Sequence, residues 1–246
     1  MWSLHCSACA YAQPDGTKLA SLCPDCGQPL LVEIATPPSR DAITGDASLW
    51  RYRAALPMRA DETPVTLGEG MSPLAELPHL AAEVGVRRLW VKDEGINPTA
   101  SFKARGLMMA VTRAKQLGLP GVCVPTAGNA GIALAAYASA AGMPCRVYAP
   151  ETTPPPILGS IRAFGADLQL LPGHIGDAGK ATLAFARESG LFNVATVREP
   201  YRVEGMKTMG FEVAEQLGWR LPDAIVYPTG GGEGTIGIWK AINELM

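Results

Sequence analysis

Lys103 is the residue whose setting in the sequence first suggests chemistry. An Asn97-Pro98 turn and a run of small residues lead into an apolar helix, and Lys103 falls in the first turn of that helix. The amino end of a helix carries partial positive charge, so this position disfavours the ammonium form and leaves more free amine to act as a nucleophile. The alternative is a surface lysine whose stem lies along the helix.

A second candidate is the glycine-rich turn Gly230-Gly231-Gly232-Glu233-Gly234, which follows an apolar run and opens the last helix. Glycine lets backbone amides approach a ligand closely, and a helix amino terminus favours an anion, so phosphate is the expected ligand. The turn matches neither the Walker A pattern nor the Gly-x-Gly-x-x-Gly pattern of dinucleotide sites. A mobile loop or a packing requirement would explain the glycines equally well.

Two further turns carry polar side chains. Thr126 and Asn129 lie between a predicted strand and helix, where the turn could cradle a carboxylate and direct Asn129 towards a ring oxygen; an ordinary helix cap is the alternative. Arg202 could grip an anionic substrate group, although a solvated helix face explains it as well. An amine, a phosphate cradle and a polar side chain facing a ring hydroxyl together fit pyridoxal phosphate, an electron sink for carbanions next to an amino group.

Four cysteines near the amino terminus, Cys6, Cys9, Cys23 and Cys26, form two Cys-x-x-Cys pairs with thirteen residues between them. This spacing suits four thiolates around one tetrahedral zinc ion, with no position left open for catalysis. Two disulfides or free thiols are the competing interpretations. A module as small as residues 1–35 has little core of its own, so a structural metal would be needed for it to fold.

The elements that position these residues alternate between strands and helices. Apolar runs predict strands near residues 89–91, 121–125, 145–149, 168–171, 192–194 and 224–227. Amphipathic or alanine-rich segments predict helices near residues 101–117, from the end of the turn at 126–131 to about residue 141, near 155–164, 176–189 and 203–217, and after residue 234. Strand, turn and helix repeating in this way is typical of an α/β protein with parallel sheets. Residues 36–64, which include Pro37-Pro38, Pro57 and Pro64, predict a linker rather than a helix or strand.

Composition excludes several classes of function. Hydrophobic residues make up 48% of the 246 residues and charged residues 18%, which is typical of a folded globular chain. The net charge is −2 with no basic stripe, which argues against nucleic acid as a partner. We find no apolar run of membrane-spanning length and no signal peptide, and therefore expect no membrane partner and a cytoplasmic location.

The run from Asn97 to Gly106 resembles the lysine motif of fold-type II pyridoxal-phosphate enzymes, in particular the threonine synthase family. Five more segments match that family in the same order: Glu69-Gly70-Met71-Ser72-Pro73-Leu74, Val91-Lys92-Asp93-Glu94-Gly95, Gly128-Asn129-Ala130-Gly131, Glu204-Gly205-Met206-Lys207-Thr208 and residues 228–234. The resemblance covers about residue 65 to the end. The cysteine-rich start resembles a zinc-ribbon-like extension that some members carry.

The resemblance implies roles for individual residues. Lys103 would form the Schiff base with the cofactor and move the alpha proton, and Asn129 would bond the ring hydroxyl. The amides of Gly230, Gly231, Gly232, Glu233 and Gly234 would hold the cofactor phosphate. Ser72, Thr126 and Arg202 would bind the amino-acid substrate, with Arg202 on its phosphate. The implied reaction converts O-phosphohomoserine and water to threonine and phosphate.

The same resemblance implies a domain plan and two departures from the family. A large cofactor domain would comprise residues 65–95 and 206–246, with a small α/β domain at 96–205, and a homodimer is allowed. Family members commonly have Asn-Ser where this chain has Thr196-Val197. They also continue well past the glycine turn, so we expect a truncated chain without the residue that faces the pyridine nitrogen. A serine or threonine dehydratase, a cysteate synthase, or a non-catalytic protein that binds pyridoxal phosphate and zinc are the alternative functions.

Overall fold

The computed structural model describes residues 1–36 and 39–245, so the predicted Pro37-Pro38 feature lies outside the described residues. The helices are α1 Pro78–Glu83, α2 Lys103–Gln116, α3 Asn129–Ala141, α4 Pro155–Ala163, α5 Ile175–Ser189, α6 Tyr201–Gln216 and α7 Glu233–Leu245. The strands are β1 Trp2–Cys6, β2 Ala12–Gln13, β3 Leu30–Ile34, β4 Leu74–Glu76, β5 Trp90–Lys92, β6 Val122–Pro125, β7 Cys145–Pro150, β8 Asp167–Leu171 and β9 Phe192–Asn193. Across the described ranges, no helix has both the length and the apolar content that a membrane crossing requires.

One parallel sheet confirms the predicted α/β class. Its four strands lie in the order β8-β7-β6-β9, with every neighbouring pair parallel. Parallel strands need crossover connections, and α3, α4 and α5 supply them. The central strand β6 is buried at Val122, Cys123 and Val124, as the continuous apolar run predicted.

Helix α6 packs against both α2 and α7 through glycine. A Cβ atom added to Gly205 would lie 2.1 Å from the carbonyl oxygen of Arg105, so α6 and α2 approach backbone to backbone. A Cβ atom on Gly237 would lie 2.8 Å from the amide nitrogen of Lys207, so α7 also approaches the backbone of α6. No other residue type fits these contacts without a shift of the backbone. The three helices therefore form one closely packed unit.

The cysteine-rich module is attached to this unit. Strand β1 pairs antiparallel with β2 and β3, and its Trp2 and Leu4 side chains are buried in the main hydrophobic core. The Arg113 guanidinium lies 4.9 Å from the centre of the Trp2 ring. Lys240 Nζ of α7 donates to the Val32 carbonyl oxygen of β3 at 2.5 Å. The module therefore shares the core of the α/β part.

Two predictions about secondary structure are wrong. Residues 224–227 do not form a strand, and the Val226 side chain is 99% exposed. An apolar run becomes a strand only when a neighbouring strand takes its hydrogen bonds, and within the described residues none pairs with this segment. The predicted linker contains a 3₁₀ helix, Leu49–Ala55, because Leu49, Trp50 and Tyr52 have apolar surfaces to bury.

Candidate functional site

The structure brings together Lys103, Arg202 and Glu233, which we call the lysine cluster. Each residue lies in the first turn of its helix, α2, α6 or α7, so three helix amino termini meet there. Glu233 Oε1 accepts from Lys103 Nζ at 2.6 Å and from Arg202 Nη2 at 2.5 Å. Glu233 is 130 residues from Lys103 and 31 residues from Arg202 in the sequence. Only the packing of the three helices brings these side chains into contact.

The lysine cluster carries more positive than negative charge. Two cations face one carboxylate, and the partial positive charges of three helix termini add to the excess. Burial alone would raise the pKa of Glu233, but Arg202 and Lys103 outweigh it and hold that pKa below its usual range. Glu233 is therefore a carboxylate at neutral pH. The remaining positive field favours binding of a further anion.

A second set of charges, the arginine cluster, surrounds Arg105 two residues further along α2. Its members are Arg105, Lys92, Glu94, Glu212 and Ser72. The Arg105 guanidinium makes ion pairs with Glu94 at 2.7 Å and with Glu212 at 2.5 Å, and Lys92 Nζ reaches Glu212 at 2.7 Å. Burial opposes ionisation of Glu212, yet Arg105 and Lys92 outweigh it and lower the pKa of Glu212. Two positive and two negative groups balance each other.

The glycine turn lies beside the lysine cluster. At three of its positions the local structure explains why the residue is glycine. A Cβ atom on Gly231 would lie 2.4 Å from the Thr196 side chain, and one on Gly234 would lie 2.1 Å from the Tyr227 hydroxyl. Gly232 has a φ of +85°, which favours glycine. Gly230 has open space where a side chain would stand. The packing alternative is therefore correct for part of the turn, and Gly230 is left for a ligand-related explanation.

Three other predicted residues occupy different surroundings. Asn129 is exposed and begins α3 directly after the turn that follows β6. The Thr126 hydroxyl donates to the Gly128 carbonyl oxygen at 3.0 Å, which fixes the shape of that turn. Ser72 is buried and belongs to the arginine cluster, where its hydroxyl donates to Glu94 at 2.5 Å. The roles of these residues towards a ligand stay predictions.

Glu199 was not singled out in the sequence, although it lies beside the lysine cluster. Its carboxyl group accepts from the amides of Tyr201 at 2.6 Å and Arg202 at 3.1 Å, at the amino terminus of α6. Burial raises the pKa of Glu199 to about 7, against the pull of Arg202. The signal in the sequence is an acidic residue two positions before the helix, where a carboxylate is favoured by the free amides and the partial positive charge of the helix amino terminus. The glycine pattern of the turn points to its backbone amides and gives no sign that the Glu233 carboxylate contacts Lys103 and Arg202.

The residues around the lysine cluster fit a phosphate-bearing aldehyde cofactor. Lys103 supplies the amine, and its side chain is 19% exposed, so a ligand can reach it. Among the described residues, the backbone amides of residues 230–232 donate no hydrogen bond to the protein. The buried hydroxyls of Thr99, Ser101 and Tyr227 also have no partner within the described part of the chain. Unused donors beside an excess of positive charge are what an anionic ligand requires.

The four predicted metal ligands also come together. The sulfur atoms of Cys6, Cys9, Cys23 and Cys26 lie within 4.8 Å of one another. Three of the Sγ–Sγ distances are 3.4 to 3.6 Å, close to the ~3.8 Å edge of a tetrahedron with zinc–sulfur bonds of ~2.3 Å. All four cysteines are free thiols, which argues against the disulfide alternative. The donor set fits a structural zinc ion.

Comparison with known proteins places the chain in a family. Residues 65–246 match the family described as pyridoxal-phosphate dependent enzyme, and the chain belongs to that family. The threonine synthase of Methanocaldococcus jannaschii is 36% identical over 202 residues, which cover 81% of this chain and 49% of that protein. The threonine synthase of a Synechocystis strain is 34% identical over 97% of this chain and 60% of its own length. The chain thus spans about half to three-fifths of the length of these relatives.

Solved structures support the same fold. A threonine deaminase from Solanum lycopersicum matches 70% of this chain and 47% of its own, with a TM-score of 0.63 and 27% identity. The diaminopropionate ammonia lyase of Escherichia coli matches 73% of this chain and 57% of its own, with a TM-score of 0.66. At 22% identity the second likeness bears on the fold alone. The sequence-based expectation of a fold-type II pyridoxal-phosphate enzyme is confirmed.

Proposed function

We propose that this chain carries out the threonine synthase reaction, in which O-phosphohomoserine and water give threonine and phosphate. The observation that carries the proposal is the lysine cluster. An accessible amine and an arginine meet beside a glycine turn, in a chain that is 36% identical to a threonine synthase over most of its length. When bound, pyridoxal phosphate supplies the electron sink that this chemistry needs.

The residues of the chain divide the remaining work. Lys103 would hold the cofactor covalently through Nζ and carry the proton that leaves the substrate alpha carbon. The amides of residues 230–234 would bind the cofactor phosphate, with Asn129 directed to the ring hydroxyl. Arg202 would bind the anionic group of the substrate, because its guanidinium is a planar donor held in place by the Val194 carbonyl oxygen at 2.7 Å. Ser72 and Thr126 are the remaining substrate-binding candidates.

The first test measures the attachment of the cofactor. The purified chain mixed with pyridoxal phosphate is expected to develop a visible absorbance band, and borohydride reduction followed by peptide mass spectrometry should find the label on Lys103. The Lys103→Ala variant should lose both signals. The matched control is Lys115→Ala, near the other end of the same helix, which should keep them. A band that survives Lys103→Ala would refute the assignment.

The second test measures the substrate. Phosphate release from O-phosphohomoserine is expected to exceed deamination of serine or threonine, and release should fall in Arg202→Lys. A dehydratase is the alternative, and the likeness to a threonine deaminase of 27% identity gives it specific support. Keto-acid formation from threonine without phosphate release from O-phosphohomoserine would favour that alternative. Binding of pyridoxal phosphate without either turnover would support the non-catalytic alternative.

We also propose that Cys6, Cys9, Cys23 and Cys26 bind one structural zinc ion. Metal analysis should give one zinc per chain, and the Cys6→Ser and Cys23→Ser double variant should contain almost none. Because Trp2 of the same module lies in the main core, loss of the metal is also expected to lower the melting temperature. Unchanged zinc content in the double variant would refute the site. The two-domain boundaries, the cytoplasmic location and the homodimer stay predictions.

A further inference from the structure

Glu233 binds both cations of the lysine cluster through one carboxylate oxygen. A single oxygen, Oε1, binds both Lys103 Nζ and Arg202 Nη2, while Oε2 is buried with no partner in the described part of the chain. The side chain is 1% exposed and is held in its charged form by those cations. A protein carboxylate therefore already occupies both cations that an incoming anion would contact, although their charge is only partly neutralised.

The same residue stands inside the glycine turn and opens α7. Its backbone amide belongs to the set that would hold a phosphate, whereas its carboxylate repels one. Coulomb repulsion between a carboxylate and a phosphate a few ångströms apart is strong in a buried site, because little solvent screens it. Binding of a phosphate at Arg202 or reaction at Lys103 therefore requires Glu233 to give up at least one of its two ion pairs.

From these contacts we infer that Glu233 is a residue that determines ligand specificity by competing, as an internal anion, with external phosphate groups for Arg202 and Lys103. The inference concerns the same site as the proposed function and rests on it for the identity of the cofactor. Its consequence is that the chain binds phosphate groups more weakly than its cations and free amides would otherwise allow. The carboxylate of Glu233 weakens the binding of an anion less when that anion carries less charge than phosphate.

The experiment compares Glu233→Gln with the unchanged chain, and inorganic phosphate is the probe. Glutamine keeps the size of the side chain and removes its charge, so the dissociation constant for phosphate, measured by calorimetry, should fall about tenfold or more. The matched control is Glu244→Gln at the other end of α7, where the carboxylate faces Lys207 instead. That variant should bind phosphate as the unchanged chain does. Equal or weaker binding by Glu233→Gln would overturn the inference.

A second variant covers the case in which Glu233→Gln does not fold. Glu233→Asp keeps the charge but withdraws it by one methylene group from Lys103 and Arg202, so phosphate should bind more tightly to this variant than to the unchanged chain. Binding identical to that of the unchanged chain would count against the inference. If Glu233→Gln does fold, saturating phosphate should also raise its melting temperature more than that of the unchanged chain, because ligand binding stabilises the folded state by mass action.

Labelling of Lys103 separates this inference from the proposed function. The concentration of pyridoxal phosphate that gives half-maximal borohydride-trapped label should fall about tenfold in Glu233→Gln. The corresponding concentration of pyridoxal, which lacks the phosphate, should fall by a smaller factor. If that concentration falls by the same factor for both aldehydes, Glu233 acts on Lys103 alone, contrary to the competition described above. If no variant is labelled at Lys103, the proposed function fails, while the phosphate measurements still decide the role of Glu233.

Discussion

The lysine cluster and the arginine cluster begin two residues apart on α2, yet they use their hydrogen-bonding groups in opposite ways. Arg105 is fully buried, and its guanidinium is bonded to Glu94, Glu212, Thr208 and Ser72. Around Lys103, by contrast, Glu233 Oε2 and Arg202 Nε are buried without a partner within the described residues. A closed, charge-balanced network stabilises one conformation, whereas an open one with excess positive charge is suited to a ligand.

This difference gives a criterion for telling structural from functional charge in the same helix. Perturbed pKa values alone would not separate the clusters, because in both of them the cations outweigh burial and lower the pKa of the carboxylate, Glu212 in one and Glu233 in the other. Buried hydrogen-bond donors and acceptors without a partner do distinguish the lysine cluster from the arginine cluster. Ser72 illustrates the point, because the family resemblance nominates it for substrate while its hydroxyl is already engaged in the arginine cluster.

The largest expected effect is on the arginine cluster. Arg105→Met should lower the free energy of unfolding by about 3–5 kcal/mol, because it leaves the buried Glu212 with only Lys92 to compensate it and takes away the cation that pairs with Glu94. Chemical denaturation followed by circular dichroism would measure the loss. A loss below about 1 kcal/mol would show that the cluster is not a structural network.

The next effect concerns pH and the acid beside the lysine cluster. Burial raises the pKa of Glu199 from 4.5 to about 7 in the folded chain, so the folded state binds a proton more tightly than the unfolded state. The resulting stability is fully present below pH 4.5 and is lost as pH rises through about 7, an effect of about 3 kcal/mol. Denaturation across that range should show the decline in the unchanged chain and a shallower one in Glu199→Gln. Parallel profiles would contradict the shift.

A smaller effect on stability is expected for the corresponding substitution at Lys103, which lies on the same helix as Arg105. Lys103→Met should change the free energy of unfolding by no more than about 1 kcal/mol, because Glu233 keeps its ion pair with Arg202. The same variant should lose the covalent label completely. Destabilisation as large as that of Arg105→Met would remove the distinction between the two clusters.

The smallest effect concerns the backbone that leads to Lys103. Ala100 has a φ of +53°, in the left-handed region that costs an L-residue about 1–2 kcal/mol. Ala100→Gly should therefore stabilise the chain by about 0.5–1 kcal/mol after the entropy cost of glycine is subtracted. The reverse change, Gly142→Ala, should destabilise it by a similar amount, because Gly142 has a φ of +68° and open space around it. A lower melting temperature for Ala100→Gly would contradict the strain argument.

The sequence predicts most of the helices and the parallel sheet because their signals are local. Apolar periodicity predicts α2 to within two residues at its amino end, and Gly142 and Gly190 end their helices in left-handed conformations. The strand predicted at 224–227 fails because strand formation depends on a partner elsewhere in the chain. Local patterns carry no information about that partner.

The site is only partly predictable for a similar reason. Lys103, the glycine turn and Arg202 are recognisable from their neighbours, and the structure brings them together. The pairing of Lys103 with Glu233 spans 130 residues and depends on how α2 and α7 cross α6. The burial that raises the pKa of Glu199 likewise comes from packing rather than from the acidic residue itself.

The glycine contacts between α2, α6 and α7 have a consequence for how the chain opens to solvent. Because Gly205 and Gly237 bring the backbones into contact at these two points, rearrangement of side chains there cannot let one helix loosen alone. The three helices should therefore behave as a single cooperative unit in native-state hydrogen exchange, with one shared opening free energy. Lys103, Arg202 and Glu233 would then be exposed together, in one event, rather than one at a time.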